Sequence, residues 1–126
     1  MDILIVDDDH SIREMLRLFL ELKGYTIASA INGQDALDYL RQSPEPPQLI
    51  LLDLMMPVMS GAEFRTAQRQ TPALASIPVA LISADANLRD SAPVLDAEAY
   101  LPKPIDFDLL LATIERFCGK SRMQSA

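Results

Sequence analysis

Five polar positions in this chain each follow a short apolar run. Asp7 and Asp8 follow Ile3 to Val6, Asp53 follows Leu49 to Leu52, Ser83 follows Val79 to Ile82, and Lys103 comes just after Tyr100 and Leu101. If those runs are parallel strands, all five residues emerge at the carboxyl edge of one sheet, where open α/β sheets bind ligands. Three carboxylates, a hydroxyl and an ammonium gathered there would hold a hard divalent cation and a phosphoryl group. Asp7, Asp8 and Asp53 repel one another unless a cation intervenes. A divalent ion and Lys103 together bring them to formal neutrality, which lets a dianionic phosphoryl donor approach.

Oxygen ligands of this kind suit Mg²⁺, or Mn²⁺, held by one or two carboxylates with waters and phosphate oxygens completing the shell. Asp8 and Asp53 are the expected direct metal ligands, with Asp7 acting through water and a backbone carbonyl near Met55 completing the set. Asp53 ends an apolar run, where burying a lone carboxylate is costly without partners. A carboxylate attacks phosphorus to give an acyl phosphate, a known covalent intermediate of Asp. Lys103 can reach inward to Asp53 and then to a phosphate oxygen, and Ser83 can donate its hydroxyl to the same group. Taken singly, each residue has a plainer reading. Adjacent acids cap helices, as Asp9 is expected to do, Ser83 could cap a turn, and a lone lysine belongs on the surface. Five at matching strand ends favour a site.

The elements that must position these residues alternate strand and helix along the whole chain. Ile12, Met15, Leu16, Phe19 and Leu20 have the spacing of an amphipathic helix that Gly24 ends. A second strand is expected over about Thr26 to Ala30, then a helix announced by Asn32 and Gly33 that turns Ala36, Leu37 and Leu40 inward. Pro44, Pro46 and Pro47 stop it. Ser60 should cap a third helix running to about Gln70, and Pro78 opens the fourth strand. The last helix carries Phe107, Leu110, Leu111, Ile114, Phe117 and Cys118 on one face, with Gly119 as its C-terminal cap. Alternation of this kind implies right-handed βαβ units around a doubly wound parallel sheet. Strands one, three and four are continuous apolar runs, as expected when both sheet faces are covered.

The chain has 126 residues, 49% of them hydrophobic and 23% charged, which suits one domain. The expected domain is 1–120, with 121–126 as a short C-terminal tail. No apolar stretch approaches the roughly 20 residues that span a membrane, and the start lacks the pattern of a secretory signal, so a cytoplasmic location without membrane contact is expected. The net charge of −7 disfavours nucleic-acid binding by this chain, because such binding draws its strength from Lys and Arg. Cys118, the single cysteine, is expected to be a buried packing residue.

Over essentially its whole length the chain resembles the receiver domains of bacterial response regulators. The motifs carrying the resemblance are Ile3-Leu4-Ile5-Val6-Asp7-Asp8-Asp9, Leu51-Leu52-Asp53-Leu54-Met55-Met56-Pro57 with Gly61, Ile82-Ser83-Ala84, and Tyr100-Leu101-Pro102-Lys103-Pro104. The resemblance implies a five-stranded sheet in the order 2-1-3-4-5 flanked by five helices, an order the general rule for flavodoxin-like folds already includes. It implies that Asp53 is the phosphoacceptor, Asp7 and Asp8 the acidic pair serving Mg²⁺, Ser83 the switch hydroxyl, Lys103 the phosphate partner and Tyr100 the aromatic that follows the switch. It further implies a cis peptide before Pro104. The implied role is a two-component phosphorelay, not an enzyme acting on an external substrate: the module catalyses its own phosphotransfer and dephosphorylation. The donor would be a sensor histidine kinase or a histidine phosphotransfer protein, the target a protein effector, with homodimerisation left open.

Some features depart from the family pattern. Pro93 interrupts the stretch between Ser83 and the last strand, and Leu95-Asp96-Ala97 stands where a Gly-containing turn is common, so the helix expected there is short or irregular. Met55 and Asp85 flank the pocket, where side chains tune water access. His10, the lone histidine, is expected at the surface near the start of the first helix and not as a phosphoryl carrier. Two other readings compete. Asp7 and Asp9 could form the Asp-x-Asp motif of a haloacid dehalogenase-type phosphatase, although the chain lacks that family's length and downstream acidic pair. A phosphorylation-independent pseudo-receiver adaptor is the other, disfavoured by the intact Asp53, Ser83 and Lys103.

Overall fold

The computed structural model describes residues 2–43, 45–54, 59–84 and 97–119. Its elements run β1 (Ile3–Val6), α1 (His10–Leu22), β2 (Ile27–Ala30), α2 (Gly33–Gln42), β3 (Leu49–Asp53), α3 (Gly61–Gln70), β4 (Val79–Ser83), β5 (Ala99–Pro102) and α4 (Phe107–Cys118). The five strands form one sheet in the order β2-β1-β3-β4-β5, every adjacent pair parallel. Four helices stand among the described residues. The short or irregular helix expected between β4 and β5 falls on 85–96, outside them, as does the tail.

Alternation along the central strands divides the core in two, because successive side chains point to opposite faces. Leu4, Val6, Ile50, Leu52, Val79 and Leu81 meet Ala36, Leu37 and Leu40 of α2 and Phe64 of α3. Ile3, Ile5, Leu49, Leu51, Ala80 and Ile82 meet Leu16 and Leu20 of α1 and Leu110, Ile114 and Cys118 of α4. Every residue of β1, β3 and β4 is buried, and each such Leu or Ile contributes roughly 1.5–3 kcal/mol by leaving water.

The helix boundaries follow their caps. Asp9 accepts a hydrogen bond from Ile12 N, and Asn32 accepts one from Asp35 N. Ser60 and Glu63 form a reciprocal capping box at α3. Gly24 and Gly119 have positive φ, 91° and 80°, the left-handed backbone that favours glycine at chain reversals after helices. Two helix faces differ from the periodic reading. Met15 is 40% exposed and Phe107 37% exposed; the Phe107 ring lies against Phe19, 4.6 Å between centroids, at the border of the core and not within it.

Candidate functional site

Asp7 follows the last residue of β1, and Asp53 is the last residue of β3. The register pairs Val6 with Leu52, so both acids emerge at the same level of adjacent strands. Asp7 is fully buried and Asp53 nearly so, while Asp8 faces solvent. One carboxylate oxygen from each of Asp7, Asp8 and Asp53 can be chosen so that all lie within 4.8 Å of one another. Such a spacing suits a small cation with oxygen ligands at 2.0–2.6 Å. The donor set therefore fits a hard divalent ion.

Lys103 leaves the end of β5, where its backbone N donates to Ser83 O at 2.9 Å. The Lys103-Pro104 peptide is cis, as the resemblance implied. From there the ammonium donates to Asp7 Oδ2 at 3.2 Å and to Asp53 Oδ2 at 3.5 Å. The expected pairing with Asp53 is present, but Asp7 is the nearer partner. Burial, the largest single influence on Lys103, pushes its pKa down; Asp53 and Asp7 together outweigh it and hold the value above that of an ordinary lysine. The ammonium is thus charged throughout the physiological range.

Asp7 is further engaged: its Oδ1 accepts from Asp9 N at 2.9 Å, and its backbone carbonyl accepts from Arg13 Nη1 at 2.7 Å. Arg13 was not singled out in the sequence, because its spacing from Asp7 reads as an ordinary helix surface position. Ser83 is fully buried at the end of β4. It stands one residue beyond Ile82, which pairs with Asp53, so its hydroxyl belongs to the same edge. Tyr100 lies across from Leu81 and packs, partly buried, against the core face that holds α2 and α3. Met55 and Asp85 fall outside the described residues.

His10 is exposed at the first position of α1, its Nδ1 3.4 Å from Arg13 Nη2, in keeping with a surface role. Asp9 is occupied in capping α1 and is not among the three clustered acids, which removes the residue that the phosphatase reading needed. Cys118 is buried, with Sγ 3.9 Å from Asp2 O.

Sequence and structure comparisons agree with this geometry. The family model described as the response regulator receiver domain matches residues 3–115. The response regulator MprA of Mycobacterium tuberculosis H37Rv is 34% identical over 126 residues, covering 98% of this chain and 53% of MprA; the chain spans about half the length of the curated relatives it matches. Among solved structures, the receiver domain of a signal transduction histidine kinase from Syntrophus aciditrophicus is 31% identical, with a TM-score of 0.82 over 99% of this chain and 96% of that one. The response regulator TrrA of Thermotoga maritima, crystallised with Mg²⁺-BeF, is 31% identical, with a TM-score of 0.81 over 93% and 99%. No described helix is long and apolar enough to cross a membrane. By sequence, strand order and the acids at the sheet edge, this chain belongs to the response regulator receiver domains, the signalling modules of two-component systems.

Proposed function

We propose that Asp53 is the phosphoacceptor of this receiver, and that a histidine kinase or histidine phosphotransfer protein supplies the phosphoryl group. The observation carrying the proposal is the cluster itself: three carboxylates within 4.8 Å, with the Lys103 ammonium 3.2 Å from one and 3.5 Å from another. Asp8 and Asp53 would be the direct ligands for Mg²⁺ or Mn²⁺. Asp7, with its oxygens already engaged by Lys103 and Asp9 N, would act through water, and the backbone carbonyl expected of Met55 would complete the set. Mg²⁺, when bound, supplies charge neutralisation and a partner for phosphate oxygens.

An Asp53 oxygen attacks phosphorus and forms the P–O bond of an acyl phosphate, while the bond from phosphorus to the donor breaks and the leaving group keeps that electron pair. Lys103 moves from the Asp53 carboxylate toward the new phosphoryl oxygens, and Ser83 donates its hydroxyl to another. The chain needs no general base for this, since phosphoryl transfer asks mainly for positioning and charge stabilisation. Hydrolysis of the acyl phosphate at the same site returns Asp53. The added charge draws Ser83 inward, Tyr100 follows, and the surface near β5 and α4 changes for a protein effector. The receiver domain is assigned to 1–120, and the cytoplasm is the setting proposed for it.

Incubation with acetyl phosphate and Mg²⁺ followed by intact-mass measurement tests the assignment. The wild-type chain should gain one phosphoryl group and Asp53→Asn none; equal labelling of both would refute it.

A further inference from the structure

Gly61 opens α3 directly against the backbone that carries Asp53. Its N donates to Leu54 O at 3.0 Å, and Leu54 N donates to Ile82 O at 3.0 Å. The peptide that follows Asp53 is thereby held between β4 and the start of α3. A Cβ at Gly61 would lie 2.8 Å from Leu54 Cα, 2.9 Å from the Asp53 carbonyl oxygen and 3.3 Å from Leu54 O. Backbone conformation does not call for glycine here, because Gly61 is not among the positive-φ glycines. Within a helix alanine is favoured over glycine by about 1 kcal/mol, so the demand for glycine comes from close approach alone. The Ser60–Glu63 capping box fixes the shape of the first turn, and the Gly61 N to Leu54 O bond ties that turn to the strand end.

Gly33, which opens α2, provides a matched contrast. A Cβ there would lie equally close, 2.8 Å, to Met59 Cγ and Sδ. A methionine side chain rotates out of the way, whereas the strand end at Asp53 and Leu54 yields only by moving the carboxylate it carries.

We infer that Gly61 is a positioning residue of the site: the missing side chain leaves the Asp53 backbone at the depth that brings its carboxylate to Asp7 and Asp8. This rests on the role proposed for Asp53. Wild type, Gly61→Ala and Gly33→Ala are compared by calorimetric Mg²⁺ titration and by acetyl phosphate labelling. Misplacement by 1 Å costs up to about 10²-fold in rate, so a shift of a few tenths of an ångström in Gly61→Ala should weaken Mg²⁺ binding and slow labelling on the order of tenfold. Gly33→Ala should stay within about twofold of wild type, because Met59 can repack. A folded Gly61→Ala protein with wild-type Mg²⁺ affinity and labelling rate overturns the inference, as do equal losses in both variants. Wild type that binds Mg²⁺ yet takes no label sinks the assignment of Asp53 instead, while the Mg²⁺ affinities of the two variants still report on Gly61. If Gly61→Ala does not fold, amide exchange at Gly61 in wild type decides. Filling the site with Mg²⁺ and beryllofluoride should slow that exchange by more than it slows the amides of α1 and α2, which report the general gain in stability, and a change no larger than theirs overturns the inference.

Discussion

At the amino-terminal edge of the sheet, buried polar groups find their partners within the chain. Asp2 accepts from Thr26 N at 2.8 Å and Thr26 Oγ1 at 3.0 Å. Gln68, fully buried, donates from Nε2 to Leu74 O at 2.9 Å and to Ile77 O at 3.0 Å, and accepts from Arg65 Nη1 at 2.8 Å. Glu98 receives Val79 N at 2.7 Å and lies 3.8 Å from Arg65 Nη2. At the carboxyl edge, by contrast, three acids cluster, and Lys103 pairs with two of them, Asp7 and Asp53. The first edge spends its polar groups on holding loops to strands. The second keeps an excess of negative charge that a cation and a phosphoryl group would use, so substitutions at the two edges should separate stability from chemistry.

The sharpest break in that contrast is Asp53→Asn. It should abolish labelling by acetyl phosphate, while its urea midpoint equals or exceeds that of wild type because one of three like charges is gone; retained labelling would remove the basis for treating the carboxyl edge as reactive. Lys103→Met should come next, slowing labelling by about 10²-fold, the usual cost of losing one preorganised electrostatic partner. At the opposite edge Gln68→Ala should leave the labelling rate within about twofold but lower stability by about 3 kcal/mol, since two carbonyls and a guanidinium lose a buried partner. A comparable loss of labelling in this variant would mean the edges are coupled.

Mg²⁺ should act only on the carboxyl edge. At a concentration of about 100 times its Kd it should raise the unfolding free energy of wild type by about 2.7 kcal/mol, and by much less in Asp8→Asn. Equal stabilisation of both proteins would argue for binding elsewhere. The smallest effect is a pH dependence. Because Lys103 is held above its ordinary value in the folded chain, its pairing contributes fully at pH below about 10.4, the unfolded value, and is lost as pH rises through the higher folded value. The stability gap between wild type and Lys103→Met should therefore stay flat from neutral pH to about 10 and narrow above it. Denaturant midpoints across that range would reveal a gap that narrows earlier.

The order of elements was legible because run length and period report burial directly. Ile3 to Val6 and Leu49 to Leu52 are too short for buried helices and too apolar for exposed loops, and Asn32, Ser60 and Gly119 punctuate helices through groups on their own residues. Asp7, Asp8, Asp53, Ser83 and Lys103 followed, since a residue just past a buried strand must emerge at that strand's end. Arg65 and Gln68 were not legible: on an amphipathic helix they read as solvent-facing, and only the loop of Leu74 and Ile77 folding over them makes them interior.

What the sequence determined alone is therefore local: which segments extend, which coil, and which side chains stand where a strand stops. Which of those side chains touch was a tertiary matter. Asp7 and Lys103 are 96 positions apart, and their contact depends on sheet order, strand register and the path of the turn after β5. The same holds for Lys103 lying nearer to Asp7 than to Asp53, and for the space that Gly61 leaves open. Periodicity carries no information on any of these, because they are set by how separate elements meet.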